Sequence, residues 1–226
     1  LKNDGTVWAW GWNKYGQLGN GTYLDSNIPV QVLGLTGVTA ISASGQSNAS
    51  SAHSLAVKND GTVWAWGDNY DGQLGYPQAA VPYSNIPLTV SGLAGMAAVA
   101  AGGSHSLALK NDGTVWAWGY NCCGQLGDML GSRPAPLQVA GLTGATAIAA
   151  GADHSLALKN DGTAWAWGEN YLGQLGDGTR HGRSAPMQVA ALTGVTAIAG
   201  CGRSSLVLAP DCPALSFTPG ALPGGT

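Results

Sequence analysis

Three histidines, His53, His105 and His154, each stand directly before Ser-Leu. An imidazole can ligate a metal or carry a proton. These three are 52 and 49 residues apart, and the fourth equivalent position is Ser204. None has a second ligand at the close spacing of a zinc site. They read as buried rings bonded to a neighbouring turn. Four Asn-Asp-Gly words, at 3–5, 59–61, 111–113 and 160–162, each offer one turn carboxylate. Calcium takes about 6 to 8 oxygens, so turn geometry explains these words better. The sequence has no phosphate loop ending in Gly-Lys-Ser/Thr and no Gly-x-Ser-x-Gly elbow. Nothing in it suggests a catalytic pair of carboxylates. No catalytic residue, metal or cofactor is expected. Cys122 and Cys123 are adjacent and read as two small thiols in a loop. Cys201 and Cys212 flank the final apolar run, where a disulfide would pin the tail to it.

The elements that hold these residues are set by a repeat. Eight of nine tryptophans fall in one word, Trp-Ala-Trp-Gly, written at Trp8, Trp64, Trp116 and Trp165, with steps of 56, 52 and 49 residues. Such periods mark stacked supersecondary units. Each word follows an Asn-Asp-Gly turn that joins it to an apolar run such as His154–Leu158, a strong hairpin signal. After it come Asn-x-x-Gly-Gln-Leu-Gly, a variable loop, and a short run beginning at Pro29, Pro87, Pro136 or Pro186. These prolines suit the first residue of a strand, where no ladder donor is lost. A last run, such as Val38–Ile41, ends the unit. Four strands per period, with no helical periodicity, are the signature of a propeller blade. In Val7-Trp8-Ala9-Trp10 both strand faces are apolar, as stacking between blades requires.

The reading is an all-β chain: a β-propeller of four-stranded antiparallel blades, about four of them. They form an open partial propeller, or less favourably a closed four-bladed ring. The repeats are placed at 1–57, 58–109, 110–158 and 159–209. The chain opens at Leu1 in mid-motif and is read as a fragment or processed piece. Open blade faces at the two ends would permit self-association. Charged residues are only 9 %, glycines number 36 and the net charge is −3. That balance gives no electrostatic footprint for nucleic acid. No apolar stretch is long enough for membrane insertion as a helix.

The words Trp-Gly-x-Asn-x-x-Gly-Gln-Leu-Gly, Pro-x-x-Val and Gly-x-x-His-Ser-Leu-Ala occur in the same order over residues 1 to about 209. Together they resemble the regulator of chromosome condensation repeat family. The resemblance implies a seven-bladed propeller with strand exchange between the chain ends, from which four units depart. The founding activity it implies is guanine-nucleotide exchange on the Ran GTPase. Neither an exchange-wedge insertion nor a basic nuclear tail is visible here. The family's plant UV-B photoreceptor uses clustered tryptophans, but its Gly-Trp-Arg-His-Thr word does not occur in this chain.

Residues 210–226 are rich in Pro and Gly. They read as a linker, or as the start of a domain resembling bacterial immunoglobulin-like modules of surface proteins. An extracellular or cell-surface bacterial setting is therefore expected. Function is sought in the stretches that do not repeat: Asn20–Ile28, Tyr76–Ile86, Asp128–Ala135 and Asp177–Ala185. Equivalent loops on successive blades share one rim, and loops on a rigid scaffold are where binding usually resides. Candidate contact residues are Tyr23, Tyr76, Tyr83, Arg133, Arg180, His181 and Arg183. A Ser-rich insertion, Ser44–Ala52, lengthens the first unit. The expected function is a non-enzymatic scaffold that binds a protein ligand through these rim loops. The alternative is a regulatory adaptor or a protein like a guanine-nucleotide exchange factor.

Overall fold

A computed structural model describes residues 1–2, 4–44, 51–189 and 192–209. The described chain is built from sixteen strands. In order they are β1 (Trp8–Gly11), β2 (Ser26–Gln31), β3 (Val38–Ala43), β4 (His53–Lys58), β5 (Val63–Asp68), β6 (Tyr83–Thr89), β7 (Met96–Ala101) and β8 (His105–Lys110). They continue as β9 (Val115–Gly119), β10 (Arg133–Gln138), β11 (Ala145–Ala150), β12 (His154–Lys159), β13 (Ala164–Gly168), β14 (Arg183–Gln188), β15 (Ala197–Cys201) and β16 (Ser204–Leu208).

The strands form three complete antiparallel sheets, β3–β6, β7–β10 and β11–β14, with β1–β2 and β15–β16 as half-sheets at the two ends. Among the described residues β1 pairs only with β2, and β16 only with β15, so these sheets form an open arc rather than a closed ring. Sequence period and sheet are out of phase. Each sheet takes its first two strands from one sequence period and its last two from the next. The first strands, β3, β7, β11 and β15, sit beside one another along the axis. Antiparallel order then puts the first-to-second hairpins and the third-to-fourth loops on one face, here called upper. The Asn-Asp-Gly turns lie on the lower face.

The repeated words divide the work of joining blades. On the lower face Asp60 Oδ1 accepts from Thr62 Oγ1 at 2.6 Å, and Thr62 Oγ1 accepts from Trp64 Nε1 at 3.1 Å. The first tryptophan of each word is thereby tied to its own hairpin. The second, Trp66, Trp118 or Trp167, is at most 2 % exposed. Its indole packs among apolar strands and donates to the main-chain oxygen of a glutamine in the preceding blade. These bonds are Trp66 to Gln17, Trp118 to Gln73 and Trp167 to Gln125, each 2.8 Å.

The same oxygens accept from Ser54, Ser106 and Ser155 hydroxyls at 2.8 to 2.9 Å. The Ser106 and Ser155 hydroxyls, and that of Ser205, in turn meet the histidines. His53 Nε2 lies 3.0 Å from Ser106 Oγ, His105 Nε2 3.0 Å from Ser155 Oγ, and His154 Nε2 2.9 Å from Ser205 Oγ. The histidines are structural, as expected, but their partner is a serine on the next blade rather than a turn.

Close approach to the next blade also fixes one glycine in three of the four loops, Gly16, Gly72 and Gly124. A Cβ on Gly124, at φ +82°, would stand 2.5 Å from Ser184 Cα on the next blade. The prolines are placed differently from the expectation. Pro29, Pro87, Pro136 and Pro186 lie in the middle of β2, β6, β10 and β14, next to register breaks such as Ala65/Gly67. These strands are the outermost of each sheet, and an edge strand at a bulge tolerates the missing N–H.

Candidate interaction face

The four variable loops all lie on the upper face, each anchored by an asparagine the sequence reading left without a role. Asn69 is fully buried. Its Oδ1 accepts from Leu74 N at 2.8 Å, and its Nδ2 donates to Tyr76 O at 2.9 Å and to Val81 O. Asn13, Asn121 and Asn170 repeat the clamp with Leu18, Leu126 and Leu175. Main-chain groups that the loop cannot pair within itself are satisfied by one side chain. Asn69→Ala is expected to cost about 2 to 3 kcal/mol by leaving them unpaired. Urea unfolding measures that loss, and hydrogen exchange should show faster opening of 76–86 than of 128–135.

The loops place the candidate residues unevenly. Tyr23 and Tyr83 come together across two blades, edge to face, with ring centroids 5.5 Å apart. Tyr76 is tied down, its hydroxyl donating to Thr89 O at 2.7 Å. Arg133 and Arg183 open strands β10 and β14, and both guanidiniums are engaged within their own loops. Arg133 reaches Asp128 Oδ2 at 2.7 Å, and Arg183 reaches Asp177 Oδ2 at 2.8 Å. Burial pushes the Asp177 carboxyl up, but hydrogen bonds from Thr179, Arg183 and Asn170 outweigh it and hold the group well below the usual range. Arg180 and His181 are exposed. Most of the insertion Ser44–Ala52 lies outside the described residues, as do Cys212 and 210–226. The Cys201–Cys212 pairing and the immunoglobulin-like resemblance therefore stand as expectations. Cys122 and Cys123 sulfurs are 2.8 Å apart, and burial pushes the Cys123 thiol up to about 12.

The face carries more than the variable loops. Inside the fixed word Gly-x-Asn-x-x-Gly, the x positions hold Trp12, Tyr15, Tyr70, Tyr120, Tyr171 and Leu172. Tyr70 is 67 % exposed and Tyr171 70 %. Beside them stand Leu24, Met129 and Leu130, all more than 70 % exposed. Aligning the four words would have shown these positions, because they vary while their neighbours do not. Carboxylates lie among them. Gln73 Nε2 donates to Asp68 at 2.8 Å and Gln174 Nε2 to Glu169 at 3.0 Å. Burial pushes Asp68 up to about 6 and raises Asp71; it also raises Asp153, helped there by Glu169.

The axial funnel, about 200 Å³, is lined by Ala43, Cys201 and alanines and glycines of β7, β11, β15 and their turns. Among the described residues no group of three or more His, Cys, Asp or Glu is placed to hold a metal. No helix of the described residues is long and apolar enough to cross a membrane.

Blades of antiparallel strands stacked around an axis, with repeated joints and unrepeated loops on one face, define a β-propeller repeat protein. The model of the RCC1-like domain matches residues 1–218, and the chain belongs to that family. It is 41 % identical over 125 residues to the human probable E3 ubiquitin-protein ligase HERC6, covering 54 % of this chain and 12 % of that protein. It is 35 % identical over 129 residues to the ultraviolet-B receptor UVR8 of Arabidopsis thaliana, covering 56 % of this chain and 28 % of that one. The chain thus spans less than a third of these curated relatives.

Among solved structures, human WBSCR16 superposes with a TM-score of 0.81 at 28 % identity, over 93 % of this chain and 55 % of that one. Prp20p of Saccharomyces cerevisiae, whose structure was reported with its binding properties to Gsp1p and histones, superposes with a TM-score of 0.75. At 24 % identity, over 91 % of this chain and 51 % of that one, it supports the fold alone.

Proposed function

We propose that this chain is a non-enzymatic propeller scaffold that binds a protein ligand through its upper face, within a secreted or cell-surface bacterial protein. One observation carries the binding reading. Side chains that do not repeat are gathered on one face, where aromatic and aliphatic groups stand in water. Tyr70, Tyr171, Met129 and Leu130 are each at least 67 % exposed while the scaffold beneath them is closed. Large exposed rings with apolar neighbours are the material of interface hot spots. The surface setting rests on the resemblance of residues 216–226 alone, and locating the protein in fractionated cells tests it. Exchange activity is the competing reading, and nucleotide release from a GTPase would favour it.

The binding reading predicts that Tyr70→Ser with Tyr171→Ser, or Tyr83→Ser with Leu130→Ser, removes a captured partner. Lower-face substitutions such as Asp60→Ser should leave capture intact. Capture of a partner that survives both upper-face pairs would overturn the assignment.

A further inference from the structure

One pair of side chains on the upper face serves neither the blade joints nor the loop clamps. Cys122 and Cys123 fill the two middle places of the turn Asn121-Cys122-Cys123-Gly124. The equivalent turns hold Lys14-Tyr15, Tyr70-Asp71 and Tyr171-Leu172, so the turn itself has no need of cysteine. Cys122 is exposed and Cys123 half-buried, and their sulfurs stand 2.8 Å apart. Thiols on neighbouring residues need not meet, since each side chain has other rotamers open to it. Here both turn to the same side of the chain. Cys201, on β15, lines the axial funnel instead.

The turn around the pair also differs from its three counterparts. Gly16, Gly72 and Gly173 N–H donate to Asn13, Asn69 and Asn170 O at 3.0, 3.1 and 3.0 Å. Gly124 N–H makes no such bond to Asn121 O. The rest of the clamp is intact: Leu126 N donates to Asn121 Oδ1 at 2.9 Å, and Cys123 N to Gln125 Oε1 at 3.0 Å. The turn is thus open only across the two cysteines. It stands beside a cleft of about 350 Å³ between two blades, lined by Cys122, Cys123, Met129, Glu169, Tyr171 and Ser184. A small molecule can reach Cys122 there.

We infer that Cys122 and Cys123 form a redox switch: a small-molecule disulfide oxidises them to a disulfide between adjacent residues, and the change is felt in the loop 177–184 of the next blade. The exposed Cys122 attacks first, because the reacting thiolate must be reached. Its sulfur bonds to one sulfur of the small disulfide and expels the other as a thiolate, which takes up the proton Cys122 released. Cys123 then attacks Cys122 Sγ, closes the new bond and expels the second small thiol, which carries off the proton of Cys123. Two protein thiols are oxidised, and one small disulfide is reduced to two thiols. Burial, the Cys122 thiol and the Asp153 and Glu169 carboxylates push the Cys123 thiol up to about 12, so it is the partner that attacks second. The bond is easily reversed. Adjacent Cα atoms are about 3.8 Å apart across a trans peptide, closer than the roughly 4.4 to 6.8 Å that disulfides usually span, and strained, exposed disulfides are the labile ones. The turn also touches the next blade. A Cβ on Gly124 would lie 2.5 Å from Ser184 Cα, and one on Gly182 would lie 3.9 Å from Cys123 O. A change of backbone at 122–123 therefore reaches the neighbouring loop. This inference rests neither on what the upper face binds nor on where the protein resides.

Cystamine, applied to the 226-residue chain carrying Cys201→Ser and Cys212→Ser, tests it. The expected product is lighter than the reduced chain by two hydrogen atoms and carries no cystamine-derived group. Peptide mapping should confine the loss to the peptide that holds residues 122 and 123, and dithiothreitol should restore the starting mass. Adding Cys123→Ser should stop the reaction at a mixed disulfide on Cys122, whereas adding Cys122→Ser should slow it about tenfold. Both variants should keep cooperative urea unfolding, since the other turns hold varied residues at these places. Hydrogen exchange of the oxidised and reduced chains should differ in 177–184 and agree at the lower turn 59–62. A stable cystamine adduct with both cysteines present, a disulfide between two chains, or an intramolecular bond that leaves exchange in 177–184 unchanged would overturn the switch.

Discussion

Trp118→Ala is expected to destabilise the chain by about 3 to 5 kcal/mol, while Trp10→Ala, measured on the single chain, shifts it by less than about 0.5 kcal/mol. Both residues are the second tryptophan of the same word. Trp118 is fully buried among residues of two blades, including Leu55, Val57 and Val63 of the preceding one. Its removal leaves a cavity the flanking strands cannot close. It also takes one of two donors from Gln73 O, the other being Ser106 Oγ at 2.9 Å. Trp118→Phe separates these losses, because it keeps most of the ring and removes only the donor, at about 1 kcal/mol for the bond. Trp10 has no blade packed over it. Urea midpoints for the three variants measure the contrast. Equal losses at Trp118 and Trp10 would show that the word acts within its own strand and not between blades.

Lowering the pH from about 7.5 to about 5 is expected to remove on the order of 4 kcal/mol of stability, a large part of what a domain possesses. Unfolded, each histidine titrates near its ordinary 6.5; folded, burial holds His53 and His154 down to about 4 and His105 to about 3. In that window the unfolded chain binds protons the native chain refuses. Stability present above pH 6.5 is lost as the pH falls. The Asp68 carboxyl opposes this. Its native value is raised to about 6, so the native state takes a proton before the unfolded one and gains stability below pH 6. Asp71 and Asp153 act in the same direction. Three imidazoles outweigh these carboxyls because each is wholly enclosed between blades. The lowered carboxyls Asp128 and Asp177 lose their contribution only below their unfolded value of 3.8. His105→Gln should remove one proton from the linkage, reducing the slope by about 1.4 kcal/mol per pH unit. Urea unfolding across this range measures it, and a flat profile would contradict burial of the three rings.

The fold was legible because its joints repeat. Trp-Ala-Trp-Gly, Asn-Asp-Gly-Thr and Gly-Gln-Leu-Gly recur because each supplies one half of a contact completed by another blade or strand. Four copies made the pattern visible. The open arc, favoured in the sequence over a closed four-bladed ring, is the arrangement the sheets adopt. What pairs with what was less legible. His53 meets Ser106, and Trp66 meets Gln17, at separations no local pattern encodes. The prolines were displaced from their expected places because register breaks let the outer strands begin three or more residues earlier.

The face was half legible. The variable loops stand where expected, yet Arg133 and Arg183 brace their own loops and Tyr76 is bound to Thr89 O. The most exposed rings, Tyr70 and Tyr171, sit inside a word that looked purely structural. Repetition drew attention to the positions that stayed constant and away from the ones that varied between them.

Upper-face binding is tested most directly by hydrogen exchange of the chain with and without a partner captured by it. The account predicts protection in 20–28, 70–71, 76–86, 128–132, 171–172 and 178–182, with exchange of the turns at 59–62, 111–114 and 160–163 unchanged. Protection concentrated in those lower turns, with the upper loops unaffected, would contradict it.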